Sequence, residues 1–295
     1  MIKNYLKDIY LFASLLYNTL VSVFIVLLFS SFLINKKMSK CVKKYRKSSE
    51  CVVLGNGPSI ASLFEQKRSS MYGKDIFAVN YFCLTNYFDM VKPKFYVMLD
   101  PDLYTDDLLG SKNTRVDELI AKLNSITWEM VIFVPVKFKN RRLTKSFTND
   151  KLIVIPFNST PIKGLEFIEN LLFKLNLGMP NPITVINAVI FLAVNLKYDI
   201  VNLYGVEQSW LKHLQVTNDN QVNVRLPHFY GGPDDIGRHS TLNTLSSFLY
   251  TQAICFESHM RIEKYSKYNS RCILNHTPGS YIDAYERVVD EQNTG

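Results

Sequence analysis

The sequence predicts an α/β domain with a mainly parallel sheet, preceded by one transmembrane helix. Three observations carry this. A long apolar run without charge lies near the N-terminus, short β-branched runs alternate with longer amphipathic ones over residues 51–295, and polar or glycine-rich stretches follow several of the short runs. Strands that are apolar throughout and separated by helices indicate a parallel sheet covered on both faces.

The N-terminal flank, residues 1–8, carries Lys3, Lys7 and Asp8, and from Ile9 to Asn35 no residue is charged. About 20 apolar residues in a helix cross the hydrocarbon core of a bilayer, so residues 9–35 are read as a transmembrane helix. The competing reading is a cleaved signal peptide. Its apolar region would run for about 7–15 residues and end at a small-residue cleavage site, whereas this run is longer and ends in Ile34-Asn35-Lys36. Lys36, Lys37, Lys40, Lys43, Lys44, Arg46 and Lys47 follow at once. The flank richer in Lys and Arg stays in the cytoplasm, which gives a single-pass protein with a basic juxtamembrane linker (residues 36–50) and a cytoplasmic domain (residues 51–295).

The formal net charge is +8, of which residues 1–35 carry +1 and residues 36–47 carry +7, so the domain itself is near neutral. A nucleic-acid binder concentrates its charge on the folded domain, and no nucleic-acid partner is expected. The basic run suits anionic lipid headgroups and equally serves as a topology signal. Cys41, Cys51, Cys83, Cys255 and Cys272 form no CxxC pair and have no histidine at metal-ligand spacing. Reduced thiols in a reducing compartment account for them, without structural zinc.

Strands are expected at Cys51–Gly55, Asp75–Asn80, Lys94–Leu99, Met130–Pro135, Leu152–Ile155, Ile200–Tyr204 and Arg271–Leu274. Helices are expected at Ser59–Ser70, Arg115–Leu123, Pro161–Leu175, Thr184–Leu196 and Ser240–Lys264. Ligands of such folds bind beyond the carboxyl ends of the strands.

The first strand runs into Gly55-Asn56-Gly57-Pro58-Ser59. Two glycines let a backbone approach a phosphate or sugar closely, and Pro58 can open a helix whose N–H groups favour anions. A dinucleotide fingerprint is excluded by Ile60, where a third glycine is needed, and a P-loop by the missing Gly-Lys-Ser/Thr. An ordinary tight turn fits the same residues. Asn80 and Asp100 close the next two strands and Glu207 follows Tyr204-Gly205, each placed to hold sugar hydroxyls or a base, or to cap a turn. Asp100-Pro101-Asp102 is also compatible with a divalent cation bridging to a diphosphate. His239, in Gly237-Arg238-His239-Ser240, can take a proton from an attacking hydroxyl or simply precede a helix cap.

In this order and spacing, the Gly-Asn-Gly-Pro-Ser turn, Asn80, the Asp-Pro at the third strand, the Thr184 helix, Tyr204-Gly205-Val206-Glu207 and Gly-Arg-His-Ser resemble the bacterial sialyltransferases of the Campylobacter type, glycosyltransferase family 42. The resemblance covers most of residues 51–285. It implies a single Rossmann-like domain of modified GT-A type, CMP-sialic acid as donor, inversion at the anomeric carbon and no metal required for catalysis. It further implies that Gly55, Asn56, Gly57 and Ser59 lie against nucleotide and donor sugar. Asn80 and Asp100 would contact the sugar with Thr184 nearby, Glu207 would bind the nucleoside, and His239 would be the general base.

Three departures bear on the donor. Asp100 stands where the family has Asn, Val185 where it has Ser, and Ser209-Trp210 where it supplies tyrosines to the leaving phosphate, Tyr230 being the substitute at hand. The family also associates with the membrane through a basic C-terminal end, whereas here the anchor is N-terminal. The expected protein is a glycosyltransferase in the bacterial plasma membrane, acting on a glycan or glycolipid acceptor. A non-catalytic scaffold or glycan-binding protein of the same fold, and an ATP- and magnesium-dependent diphosphokinase resembling the archaeal pterin enzyme, are the alternatives.

Overall fold

Short apolar strands assemble into one parallel sheet in the computed structural model, which describes residues 2–104, 114–224 and 244–288. In chain order the strands are β1 (Glu50–Leu54), β2 (Asp75–Val79), β3 (Phe95–Val97), β4 (Met130–Pro135), β5 (Leu152–Phe157), β6 (Ile200–Tyr204), β7 (Leu214–Val216), β8 (Val222–Val224), β9 (Cys272–Asn275) and β10 (Glu286–Arg287). The sheet order is β10-β9-β6-β1-β2-β3-β4-β5, and all its pairings are parallel. Antiparallel β7 and β8 form a separate hairpin, and neither they nor β10 is foreseen in the hydrophobic pattern. The helices are α1 (Ile2–Phe29), α2 (Ile34–Tyr45), α3 (Ile60–Gln66), α4 (Phe88–Val91), α5 (Thr114–Asn124), α6 (Arg142–Lys145), α7 (Glu166–Lys174), α8 (Val185–Asn195) and α9 (Leu245–Tyr268).

Alternation along the strands divides the core in two. Cys51, Val53, Phe77 and Val79 point to one side, with α2, α8 and α9; Val52, Leu54 and Ala78 point to the other, with α3 and α5. Helix α8 is buried from Ile186 through Val194, as an all-round apolar helix must be.

Three expected helices begin or end elsewhere. The one expected over Ser240–Lys264 has Thr244, in extended conformation, as its N-cap and continues to Tyr268 as α9. The segment expected to be helical from Pro161 enters α7 only at Glu166, because Pro161 bridges to Met179 and the Ile162 N–H donates to the Met179 carbonyl. The helix after the glycine turn stops at Gln66, and Arg68–Met71 forms a 3₁₀ turn.

The largest departure is N-terminal. The apolar run expected to be helical to Asn35 breaks after Phe29. There the Asn158 side chain accepts the Ser31 N–H at 2.8 Å and donates to the Ser31 carbonyl at 3.0 Å, while the Ser30 and Thr160 hydroxyls meet at 2.8 Å. The stretch expected to be a basic linker is largely helix α2. It buries Ile34, Met38, Cys41 and Tyr45, spaced as one helical face, and leaves its lysines exposed. The buried Asp75 carboxylate then accepts the N–H groups of Lys47 and Ser48 and the Tyr198 hydroxyl. The segment is thereby part of the folded body.

Helix α1 is also docked. Thr19, Ser22 and Val26 are buried, the Ser22 hydroxyl donates to the Lys163 carbonyl at 2.7 Å, and the Leu165 N–H donates to Thr19 Oγ1 at 2.8 Å. Gly164 permits this approach, since a Cβ there would lie 2.7 Å from the Thr19 backbone. Tyr5–Phe29 is nevertheless long and apolar enough to cross a membrane.

Candidate functional site

Strand β1 lies between β2 and β6, so the chain leaves it in one direction and later returns on its other side. Loops diverge at such a switch point and leave a crevice at the carboxyl edge. A cleft opens there, and Asn56, Gly57, Asn80, Asp100, Thr184 and Glu207 line it. Val185, Ser209 and Trp210, the departures from the family pattern, line it too. Gly55 and Ser59 are not in its wall. Tyr230 and His239 lie outside the described residues.

Each polar residue at the rim has a local reason for its position. The two glycines let the β1 and β6 turns touch: a Cβ on Gly55 would lie 2.2 Å from the Gly205 carbonyl oxygen, and one on Gly57 would lie 1.5 Å from Glu207 Oε2. The turn's N–H groups are drawn into the same contact. Gly55 donates to the Tyr204 carbonyl at 2.8 Å, Gly57 to that of Gly205 at 2.9 Å, and Ser59 to Glu207 Oε1 at 2.7 Å.

Asn80 ends β2 in the left-handed conformation, φ +44°, which Asn tolerates better than most residues. Its Oδ1 accepts the Leu99 N–H at 3.1 Å, tying the end of β2 to that of β3. Asp100 caps the short turn after β3, accepting the Asp102 N–H. Thr184 is the N-cap of α8 in a reciprocal capping box with Asn187.

Two acceptors on the cleft's residues, Asn56 Oδ1 and Glu207 Oε2, are buried and have no hydrogen-bond partner among the described residues. Buried oxygens seldom go unpaired. An N–H or O–H of a bound ligand would supply the missing donor. No group of three or more His, Cys, Asp or Glu among the described residues is placed to hold a metal ion.

Behind the rim lies a polar chain that the residue pattern did not reveal. Gln208 is buried with φ +44°; its Nε2 donates to Thr184 Oγ1 at 3.1 Å, and its Oε1 lies 2.9 Å from His259 Nε2. His259 Nδ1 is 2.8 Å from the Tyr285 hydroxyl. With a carbonyl oxygen on Nε2, the imidazole donates there and accepts from Tyr285, the neutral tautomer. Full burial agrees, pushing its pKa down to about 3. The only signal in the sequence was Gln208 directly after Glu207; His259, in mid-helix, gave none. His276 stacks on Tyr204 and bonds Asn202 Oδ1 at 2.9 Å, a strand-end contact away from the cleft wall.

No protein-family model matches the chain, and comparison with curated proteins finds no match. Fold and site together define an α/β protein with a cleft at the switch point of a parallel sheet, into which several polar side chains are gathered.

Proposed function

We propose that this protein is a membrane-anchored glycosyltransferase with a Rossmann-like domain of modified GT-A type. It transfers a sialic-acid-like or other acidic sugar from a CMP-activated donor to a surface-glycan or lipid-linked acceptor, with inversion. The observation that carries the reading is the convergence of Asn56, Gly57, Asn80, Asp100, Thr184 and Glu207 on one cleft at the carboxyl edge of the sheet. Asn56 Oδ1 and Glu207 Oε2, without a partner among the described residues, add support, because a base and a sugar both bring N–H or O–H donors. In this mechanism the His239 imidazole takes the proton of the attacking hydroxyl as CMP leaves. The charge-free helix anchors the chain in the bacterial plasma membrane and the lysines of residues 36–47 hold the domain on the cytoplasmic side. The tether then raises the local concentration of enzyme at a membrane-bound acceptor.

Titration calorimetry of the full chain with CMP, CDP, UDP and ATP, with and without magnesium, tests the donor. Metal-independent binding of CMP is expected. Magnesium-dependent ATP binding with no response to CMP would overturn the reading in favour of a diphosphokinase.

A second reading, a glycan-binding or scaffold protein of the same fold, is favoured by one observation: the N–H groups of Gly55, Gly57 and Ser59 are engaged within the protein. Release of CMP that depends on added membrane-glycan acceptor separates the two.

A further inference from the structure

Helix α1 carries no charge from Ile9 to Phe29, a length of about 31 Å at 1.5 Å per residue, close to the roughly 30 Å of a bilayer's hydrocarbon core. The domain does not hang below that length. It touches α1 from Thr19 onward, through Lys163 and Leu165 and then through Asn158 and Thr160. The charge-free helix clear of these contacts, Ile9 to Asn18, measures only about 15 Å. If α1 is to be immersed over its apolar length, lipid must reach the part of the domain beside Thr19–Phe29.

Helix α7 occupies that place. Its N-terminal end is fixed to α1 by the Leu165–Thr19 bond, and Asn176, just past its C-terminal end, donates to Asn35 Oδ1 at 3.0 Å. It therefore runs alongside the docked half of α1. Phe167, Leu171 and Leu175, spaced at i, i+4 and i+8, stand on one helical face and are 69%, 52% and 38% exposed. They continue the apolar surface of α1, on which Phe24 and Leu28 are 60% and 59% exposed. Lys174, at the end of α7, and Lys36 and Lys37, just past the break after α1, are exposed at the same end. Such cations belong at the headgroups.

We infer that the Phe167–Leu171–Leu175 face of α7 lies in the same lipid as α1, so that the domain rests against the bilayer as one body with its anchor. The occupant is bilayer lipid, because this face is the lateral continuation of a helix of membrane-spanning length. The inference rests on the anchor reading of α1 and goes beyond it by naming the domain's own contact with the membrane.

The test uses the full chain with a Cys272→Ser change, since the other four cysteines are buried. A fluorophore is attached at Phe167→Cys, Leu171→Cys, Tyr10→Cys or Tyr72→Cys, one at a time, and the protein is reconstituted into phosphatidylethanolamine–phosphatidylglycerol vesicles containing spin-labelled acyl chains. Tyr72 is 70% exposed and follows Met71, which packs on the opposite face of the sheet. Loss of fluorescence at residues 167 and 171 matching that at residue 10, with none at residue 72, is the expected result. Loss at residue 10 alone overturns the membrane-facing role of α7 and leaves the anchor standing. No loss at residue 10 overturns both.

Discussion

Glu207 closes the glycine turn from the neighbouring strand end: its Oε1 accepts the Ser59 N–H at 2.7 Å, and its Oε2 fills the space where a Gly57 Cβ would stand. The turn is therefore shaped by the residues after β6 as much as by its own. Gly57→Ala puts a methyl group about where that oxygen is and 2.8 Å from the Gly205 carbonyl oxygen. Overpacking of this kind costs about 1–3 kcal/mol. The expected outcome is a lower denaturant midpoint together with loss of CMP binding in calorimetry; an unchanged midpoint would show that the carboxylate moves aside freely.

His239→Ala tests the proposed base. Removing a general base costs typically 10²–10⁴-fold in rate. Acceptor-dependent release of CMP should fall by that order while CMP binding stays as it is. Undiminished transfer by the folded variant takes His239 out of the mechanism.

The buried imidazole of His259 predicts an acid limb of stability. In the unfolded chain a histidine titrates near 6.5, whereas burial holds His259 at about 3 in the folded protein. Between these values the unfolded state binds a proton that the folded state does not, so stability falls as pH falls through this window, by up to about 1.4 kcal/mol per pH unit from this group. Above about pH 6.5 the group contributes no slope. His276, lowered to about 4 chiefly by partial burial, acts in the same direction. His259→Gln removes the larger contribution while keeping a donor and an acceptor for Gln208 and Tyr285. Chemical-denaturation midpoints taken from pH 4 to 7 should fall less steeply in this variant; equal slopes would mean that His259 is protonated within the fold.

Docking of α1 depends on a missing side chain at residue 164. Gly164→Leu would push against the Thr19 backbone, 2.7 Å from its Cβ, and should separate α1 from residues 163–165. Thr19→Ala removes the hydroxyl that accepts the Leu165 N–H together with one buried methyl group, an effect of about 1–2 kcal/mol. Thermal unfolding of the full chain in detergent should show a clear drop for Gly164→Leu and a small one for Thr19→Ala. Equal, negligible drops would show that α1 contributes nothing to the folded body.

Much of this architecture was legible in the residues. The expected Met130–Pro135 and Ile200–Tyr204 match β4 and β6 to the residue, because a strand buried on both faces reads as a nearly continuous apolar run, broken in β6 only by Asn202. Thr184 was expected to open a helix and caps α8 with Asn187, a contact made within four residues of chain. Less legible were short elements whose stability comes from distant partners: β10 is two residues held by β9, and the lysines of α2 concealed a four-residue apolar face in a stretch that reads as a linker.

What the sequence alone determined is local. It set the alternation of strands and helices, the polar residues at strand ends and the charge-free N-terminal run, since each depends on chemistry within a few residues. Tertiary structure decided which of those strand ends meet. Only the return of the chain to β6 beside β1 brings Glu207 onto Gly57 and Ser59, and only packing in three dimensions carries Gln208 to His259, 51 residues away. The N-terminal helix shows the same division: its apolar length is written in the sequence, but the burial of Thr19, Ser22 and Val26 against the domain is decided by Gly164, whose lack of a side chain lets two backbones approach.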